Sequence, residues 1–427
     1  MKFHRVNKVK KIVVLNLNIA TQILLKRMKP EVIAITGSAG KTTTKEILSK
    51  ILSTEFDVLA SKEGYNTEIG APLTIFCEKT PKNTKSIISW LKIIFKCYVR
   101  SISIKKYPEK LIMEFGADSP GDIKYLANLF KPEKGIVLTV LPVHLEKMKN
   151  IENIAKEKGE LAIGVRKGGM VFLNHDNQYT KEMSTKEGVE VVTFGKDKSA
   201  DFVASNIKSD ISGLSFKLLE GGKEQDISVR LYGSQMIYPL IAAVSVARKD
   251  HISYKKIKSA LKEVSPFKGR MNVLEGINES MIIDDSYNAN PESVLGALDF
   301  LCEQKGRKIA LLGNMNELGD FAKEGHEIVG RKAAETVDFL FTVGDFAEKY
   351  LISAAIQTGL NKKAIKSFGN AKEAGDYLKK FLKPGDILLA KGSQNNVRLE
   401  KALEIIIKDQ DKKRDILVRQ GDEWKNR

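Results

Sequence analysis

The sequence predicts an α/β fold with two sheet-containing domains, on three observations. From about Glu31 onward, short apolar runs alternate with amphipathic helical stretches, a pattern typical of a parallel sheet covered by helices. Between Ala200 and Gly233 the pattern changes to polar and apolar alternation with turns, which predicts antiparallel hairpins appended to the first sheet. After "SPFKGR" the strand and helix alternation starts again.

The chain of 427 residues is long enough for two or three domains with cores of their own. We predict a short basic N-terminal extension over residues 1–30. A central domain follows over residues 31–266, with a phosphate-binding loop, a parallel sheet and the appended hairpins. Residues 267–427 are predicted to form a smaller, Rossmann-like α/β domain.

Cysteine usage and hydropathy indicate a cytoplasmic protein. Cys77, Cys97 and Cys302 are scattered, odd in number and without a CxxC pair, so a reducing compartment is expected. The apolar stretch Ile12–Leu25 is interrupted by polar residues and fits neither a signal peptide nor a membrane span.

The charge is strongly basic, with 70 lysines and arginines against 53 acids and a net charge of +17. The charge is expected to be spread along the chain, which indicates nucleic acid only weakly. No zinc-finger, helix-turn-helix or RNP-like pattern is present, and no nucleic-acid partner is expected.

A phosphate site is predicted where a strand, a glycine-containing loop and a helix follow one another in "VIAITGSAGKTTTKEIL". Backbone N–H groups at a helix N-terminus favour phosphate, Lys41 would reach the terminal phosphates, and Thr42 or Thr43 would hold magnesium. The candidate ATP-binding residues of this segment are Gly37, Ser38, Ala39, Gly40, Lys41, Thr42 and Thr43.

This loop resembles the shortened phosphate loop of the Mur ligases, which add amino acids or dipeptides to the peptidoglycan precursor. The resemblance continues in order over residues 31–400 through "YNTEIGAPLTI", "MEFGADSPGDIKYL" and "IAKEKGELA". The segments "DDSYNANPES" and "LLGNMNELGDFAKEGH" resemble most the member that adds D-alanyl-D-alanine.

The resemblance implies a catalytic centre made of Lys41, Glu114, His144 and Lys158. Glu114 and His144 would ligate magnesium together with Thr42. Lys158 matches the family lysine that becomes carbamylated, which turns a cationic side chain into an anionic metal ligand. The cations of this centre, magnesium and Lys41, would neutralise the negative charges that meet when a phosphoryl group moves to a carboxylate.

The second half of the chain would supply the other wall of the site. By resemblance, Arg270 reaches ATP phosphates, Asp285 contacts the ribose, and Asn288 and Asn290 shape the nucleotide-facing loop, with Asn290 among the ATP-binding candidates. Loops after strands present ligand sites in open α/β sheets. The candidates for the incoming amine are Asn316, Glu317, Lys391 and Ser393.

Two departures from the family pattern concern the nucleotide and the acceptor. Gln235 and Pro239 replace a histidine and an asparagine expected near adenine, and a proline inside a helix is expected to bend or end it. Only about thirty residues precede the phosphate loop, so the family's N-terminal domain for UDP is expected to be missing. A nucleotide-free acceptor should then serve about as well as a UDP-linked one.

In "SIISWLKIIFKCYVR", the residues Lys92, Lys96 and Arg100 recur every four positions and predict a basic stripe on an apolar helix. Such a helix would lie on an anionic membrane or cover a substrate cleft, or it would pack on its own domain with a solvated lysine edge.

The predicted function is an ATP- and Mg²⁺-dependent ligase that joins a carboxylate to an amine through an acyl phosphate. Its partners would be a carboxylate-bearing cell-wall precursor and an amino acid or dipeptide, with D-alanyl-D-alanine the leading amine, and the chain would be a monomer. Alternatives are a ligase of the same mechanism on another cell-wall or folate-type substrate, or a nucleotide-binding scaffold without turnover.

Overall fold

The computed structural model describes residues 2–62, 64–143, 145–394, 397–421 and 424, with side chains from Val9 onward. It contains two β-sheets, and helices cover both faces of each. The predicted α/β fold is therefore confirmed.

The first sheet has nine strands. They are β1 (Glu31–Thr36), β2 (Val58–Ala60), β3 (Lys110–Glu114), β4 (Lys134–Val137), β5 (Met170–Asn174), β6 (Glu190–Gly195), β7 (Phe202–Asp210), β8 (Gly213–Glu220) and β9 (Lys223–Val229). Their order is β2-β3-β1-β4-β5-β6-β7-β8-β9, parallel from β2 to β7 and antiparallel from β7 to β9. The hairpins predicted in this part of the chain are confirmed.

Strands β1, β3 and β4 read as nearly unbroken apolar runs because both faces of the sheet are covered. Strands β2 and β3 lie on one side of β1, and β4 lies on the other. The sheet thus has a topological switch point at the carboxyl ends of β1 and β4, where open α/β sheets bind ligands.

Among the residues described, ten α-helices accompany this sheet. They are α1 (Lys2–Met28), α2 (Lys41–Leu52), α3 (Gly70–Ile75), α4 (Ile87–Ser103), α5 (Asp122–Phe130), α6 (Leu145–Met148), α7 (Ile151–Gly164), α8 (Gln178–Lys181), α9 (Ile237–Lys249) and α10 (Tyr254–Lys262). Helices α2, α9 and α10 share one core with the hairpins, and α1, α3, α4, α5 and α7 share the core on the opposite face.

The second sheet has six strands. They are β10 (Asn272–Glu275), β11 (Met281–Asp284), β12 (Lys308–Gly313), β13 (Phe339–Val343), β14 (Ile365–Phe368) and β15 (Ile387–Lys391). Their order is β10-β11-β15-β12-β13-β14, and only the edge strand β10 is antiparallel to its neighbour. The carboxyl ends of β11, β15 and β12 therefore lie side by side.

Six α-helices complete this half in the part of the chain that the structure describes. They are α11 (Pro291–Cys302), α12 (Ala322–Thr336), α13 (Ile352–Gln357), α14 (Ala371–Phe381), α15 (Glu400–Ile406) and α16 (Lys413–Ile416). Helices α11, α12 and α13 bury one face of the sheet, and α14 and α15 bury the other.

The expectation that Pro239 bends or ends a helix is wrong. Helix α9 begins at Ile237, which places Pro239 in its first turn. The first four N–H groups of a helix have no partner within it, so a proline there removes no helical hydrogen bond. Helix α9 continues unbroken to Lys249.

Residues 2–28 form the long helix α1, which packs against α4. It buries apolar side chains at helical spacing, among them Val13, Leu17 and Leu24. Among the residues described, no helix combines the length and the apolarity that crossing a membrane requires.

We expect Leu17→Ala to lower the free energy of unfolding by about 2–5 kcal/mol, because its fully buried side chain would leave a cavity. Leu15→Ala is the matched control on the same helix, since Leu15 is 59% exposed and should change stability by less than about 0.5 kcal/mol. Urea unfolding followed by circular dichroism measures both. Equal small effects would mean that α1 does not pack against the sheet.

Candidate active site

The loop between β1 and α2 is shaped by two glycines in the left-handed region, Gly37 at φ 152° and Gly40 at φ 84°. A Cβ added at Gly40 would lie 2.8 Å from Pro239 Cγ, so the loop packs closely on α9. The N–H of Ser38 donates to the carbonyl of Thr139 at 2.8 Å, which ties the loop to the segment after β4. The loop therefore sits at the switch point of the sheet.

Lys41 is the first residue of α2, and its Nζ donates to the carbonyl of Gly37 at 2.7 Å. Its side chain thus folds over the loop, where bound phosphates would lie. Burial lowers the pKa of Lys41 and the Arg270 guanidinium lowers it further, whereas the Glu114 carboxylate opposes both effects.

Glu114, at the end of β3, is buried and stands at the centre of a polar cluster. Its Oε2 accepts from Thr42 Oγ1 at 3.3 Å, and its Oε1 lies 3.0 Å from Lys45 Nζ. Lys45 is fully buried and also donates to the carbonyl of Ser61 at 2.6 Å. The carboxylate is held from two sides by groups on the first two turns of α2.

The oxygen atoms of Thr42 and Glu114 fit magnesium, a hard cation that prefers hydroxyl and carboxylate oxygens. Among the residues described, no group of three histidine, cysteine or acidic side chains gathers into a complete metal site. Magnesium commonly takes only one or two carboxylates and completes its shell with water and substrate phosphate. The predicted ligand His144 lies outside the described residues.

Lys158 and Lys41 both line a cavity of about 150 Å³. The other lining residues are Asn66, Thr67, Glu68, Gly116, Ala117, Asp118, Asp122, Tyr125 and Leu126. They come from two segments that the sequence analysis singled out separately, and the fold brings these together with the phosphate loop.

Burial, reinforced by the nearby Lys41 charge, lowers the pKa of Lys158 to about 7, while Glu157 acts in the opposite direction. A substantial fraction of the Lys158 amine is therefore neutral near pH 7. Only a neutral amine can take up carbon dioxide, so this environment favours the predicted carbamate.

In the second half, Asp285 and Lys391 form a buried ion pair. Lys391 Nζ also donates to the carbonyl of Asn288 at 3.0 Å, and Asp285 Oδ1 accepts from the N–H of Met271 at 3.1 Å. Burial raises the pKa of Asp285 and the Lys391 charge opposes this. By resemblance these two residues were expected at different ligands, whereas in the structure they meet in one cluster.

The other candidates for the amine lie beside this pair. Ser393 Oγ accepts from the N–H of Asn316 at 3.0 Å, which links the loops after β12 and β15. Glu317 follows in the left-handed region, at φ 65°. The four residues predicted for the amine therefore lie at the end of β15 and on the adjoining loops after β12 and β15, at one edge of the second sheet.

Asn290 has a structural role that the sequence analysis did not predict. Its side-chain oxygen accepts from the N–H of Ser293 at 2.9 Å and caps α11, and Ser293 Oγ reciprocates in a capping box. Such a cap contributes about 1 kcal/mol to helix stability.

Arg270 connects the two halves. Its Nη2 donates to Thr42 Oγ1 at 3.3 Å, and its guanidinium lies 3.9 Å from the centroid of the Tyr287 ring. Arg419 lies over the same ring at 5.4 Å and donates to Glu400 Oε2 at 2.9 Å. Residues from the second half thus reach the hydroxyl of Thr42 at the phosphate loop.

Three of these residues were missed by the sequence analysis. Lys45 lies four residues after Lys41 on the same helical face, and this spacing was a usable signal. Glu157 accepts from the N–H groups of Gly121 and Ile123 at 2.6 and 2.7 Å at the start of α5. Arg419 gave no local signal, because its partners lie far away in sequence.

Gln235 stands where the resemblance expected a histidine near adenine. Its Oε1 is buried and has no hydrogen-bond partner among the described residues. A Cβ added at Gly296 would lie 3.3 Å from this atom, so the side chain points toward α11.

Two family profiles match the chain. The Mur ligase middle domain matches residues 35–247, and the domain described as "Mur ligase, glutamate ligase domain" matches residues 269–394.

A UDP-N-acetylmuramoyl-tripeptide--D-alanyl-D-alanine ligase of Buchnera aphidicola subsp. Acyrthosiphon pisum (strain APS) is 29% identical over 395 residues, or 91% of this chain and 79% of the relative. A crystal structure of MurF from Acinetobacter baumannii superposes with a TM-score of 0.77 at 25% identity, covering 92% of this chain and 80% of that one. MurF from Thermotoga maritima in complex with ADP gives a TM-score of 0.76 at 25% identity, covering 92% and 83%.

We expect Lys45→Met to destabilise the protein by about 3–5 kcal/mol, because it leaves the buried Glu114 carboxylate without its cation. Adding Glu114→Gln should restore part of this loss, since the charge is then removed as well. Lys50→Met, on the exposed side of α2, is the control and should have little effect. Thermal and urea unfolding measure all three, and additive effects of Lys45→Met and Glu114→Gln would contradict the pairing.

Proposed function

The chain belongs to the Mur ligase family, and on this premise we propose that it is an ATP-dependent ligase that adds D-alanyl-D-alanine to the peptide of a peptidoglycan precursor. The observation that carries the proposal is the contact between Arg270 and Thr42, because it joins the second half of the chain to the phosphate loop. A ligase needs such a closed arrangement, in which three substrates meet between two walls.

The reaction has two steps. A carboxylate oxygen of the acceptor attacks the γ-phosphorus of ATP, ADP leaves, and an acyl phosphate forms. The amine nitrogen then attacks the acyl carbon, inorganic phosphate leaves, the nitrogen gives up a proton, and a peptide bond results.

In the first step the backbone N–H groups of the loop and the Lys41 ammonium bind the phosphates of ATP. Arg270 adds a second cation from the opposite wall and offsets the charge of the approaching carboxylate. Magnesium, when bound, supplies further positive charge to the phosphates, and Thr42, Glu114 and the Lys158 carbamate would hold it.

In the second step the cluster of Asp285, Lys391, Asn316 and Ser393 would position the amine. Its location at the carboxyl ends of β11, β15 and β12 supports this role, because such edges present ligands in α/β sheets. Whether Asp285 contacts the ribose or the amine, Lys391 fixes its orientation.

We also propose a monomer in the cytoplasm, divided into the three segments that the sequence predicts. Both walls of the site come from one chain, and each main segment has its own sheet. The cysteines Cys77, Cys97 and Cys302 are all free, as a reducing compartment requires.

Phosphate release with a panel of acceptors and amines tests the function. We expect turnover with a muramoyl tripeptide and D-alanyl-D-alanine, and none with a folate and glutamate.

Comparing the kinetics of UDP-linked and nucleotide-free acceptors tests whether the nucleotide contributes to acceptor binding. A loss of more than about tenfold in kcat/KM on removing UDP, or roughly 1.4 kcal/mol, would show that the chain reads the nucleotide. Absence of ATP turnover with every pair would leave a nucleotide-binding scaffold.

Lys41→Ala should abolish ATP turnover, because the loop loses the cation that reaches the terminal phosphates. Lys50→Ala on the same helix should retain wild-type turnover. Coupled ADP-release kinetics compare the two variants. Turnover of Lys41→Ala within a few-fold of the wild type would exclude Lys41 as the phosphate lysine.

Lys158→Ala should be nearly inactive and not restored by bicarbonate, whereas a short carboxylate should restore it in part by supplying the missing anion. Lys156→Ala, exposed on the same helix, is the control. With ¹³C-bicarbonate, the wild type should give a carbamate signal that is absent from Lys158→Ala.

The carbamate signal should decline as the pH falls through about 7, because protonation of the Lys158 amine removes the form that reacts. Carbon-13 spectra over a pH series give this profile. A wild-type spectrum without the signal at pH 8 would argue against the carbamate.

A further inference from the structure

The basic charge of this protein is concentrated in two segments, residues 1–30 and 79–108, which form α1 and α4 with their flanks. Together they hold 16 lysines and arginines and no aspartate or glutamate. The rest of the chain carries 54 basic and 53 acidic residues and is nearly neutral. The expectation of charge spread along the chain is therefore wrong.

The same two helices expose a large apolar surface. Each buries one face in the core, as Leu17 and Trp90 illustrate, yet the opposite face is also apolar. Of the 13 large apolar side chains that are exposed among the described residues, nine belong to these helices and are 41–69% exposed. They are Ile12, Leu15, Ile19, Ile87, Ile88, Leu91, Phe95, Val99 and Ile102. We call these nine residues the outer face.

The two parts of the outer face adjoin each other. Asn16 on α1 accepts from the hydroxyl of Tyr98 on α4 at 3.2 Å. Ile12 and Ile19 lie within one turn of Asn16, and Phe95 and Ile102 lie within one turn of Tyr98. Contiguous apolar area of this kind on a protein surface marks an interaction site.

Lysines border the outer face. Lys11 precedes Ile12, Lys92 and Lys96 lie beside Leu91 and Phe95, and all three lysines are exposed. Arg100, the third residue of the predicted stripe, also makes contacts within its own domain.

The Arg100 guanidinium donates to the carbonyl of Phe76 and lies 3.3 Å from Glu78, while 43% of its side chain stays exposed. Lys96 lies 3.8 Å from the same Glu78 carboxylate. Helix α4 therefore packs on its own domain, as one of the two alternatives expected, but its outer side is apolar as well as basic.

We propose that the outer face docks the protein on an anionic membrane surface, with its apolar side chains in the interface and its lysines at the headgroups. Apolar contact and anion attraction together are the signature of helices that lie in a membrane plane. A second copy of the chain would bring two strongly basic surfaces together, which like-charge repulsion opposes. Nucleic acid would attract the lysines electrostatically but leave the apolar side chains of the outer face exposed.

Docking through the outer face would also bring the candidate active site near the membrane surface. Two residues of α1 contact the cavity lined by Lys41 and Lys158. Lys10 lies 2.6 Å from Glu68, and the side-chain amide of Asn18 donates to the hydroxyl of Tyr125. Glu68 and Tyr125 both line that cavity. A helix is about 10–12 Å across with its side chains, so the cavity lies roughly one helix diameter from the docking surface.

Vesicle flotation with the full chain tests the proposal. We expect binding to vesicles of phosphatidylcholine with about 30% phosphatidylglycerol, and at least about tenfold weaker binding to pure phosphatidylcholine, because the attraction to anionic headgroups is lost. Raising the salt from about 0.1 M to about 0.5 M should also weaken binding, through charge screening.

Matched variants separate the outer face from general surface effects. Phe95→Glu should bind the anionic vesicles at least about fivefold more weakly, because a charge replaces an inserted ring. Ile211→Glu, which changes an exposed isoleucine of the β7–β8 turn in the same way, should bind like the wild type. Lys92→Glu with Lys96→Glu should weaken binding, and Lys379→Glu with Lys380→Glu on α14 should do so far less.

Three results would overturn the proposal. They are a wild type that does not bind anionic vesicles, equal binding by Phe95→Glu, and a dimer in light scattering that Phe95→Glu dissociates without any vesicle binding. The last result would make the outer face an interface between copies. Ligase activity on a soluble acceptor should be unchanged in Phe95→Glu, so that failure of docking and failure of the proposed ligase function are distinguishable.

Discussion

The buried carboxylate of Glu114 is the constraint on which the first half of the site depends. An ionised carboxylate inside a protein is costly unless cations and donors surround it, and here Lys45 and Thr42 do so. Both come from α2, and Lys41 begins that helix. Satisfying one charge at the end of β3 therefore fixes the position of the helix that carries the phosphate-binding side chains.

A second constraint joins the two sheets. Arg270 is at once the partner of Thr42 and a cation stacked on Tyr287, and Arg419 lies over the same ring. The loop that contains Tyr287 leads to the pair of Asp285 and Lys391. A displacement of either wall would thus be felt at both the phosphate loop and the amine cluster, which suits a reaction that needs three substrates aligned.

The outer face shows a different principle, because it is the part of the molecule that the fold does not use. Helices α1 and α4 already bury enough apolar area on their inner sides to pack on the sheet. Their outer isoleucines, leucines and Phe95 add nothing to that core, and nearly all of the net charge lies in the two sequence segments that contain them. The surface carries a cost in solubility that a purely structural helix would avoid.

The sequence by itself determined the α/β fold, the hairpins and the phosphate loop, because these depend on local periodicity and on glycines at fixed spacing. It also placed Lys41, Glu114 and Lys158 in one site, although only through resemblance to a family. Tertiary structure decided which groups meet. Lys45 became the partner of Glu114, and Lys391 that of Asp285.

Pro239 leaves α9 intact because the helix starts only two residues before it, at Ile237. Only the structure shows where this helix starts. The exposed apolar side of α4 was hidden for a similar reason, since apolar residues flank the basic stripe on both sides and the sequence does not show which of them pack on the domain. Long-range contacts and the exposure of a given face depend on how distant segments pack, and no local pattern in the chain encodes them.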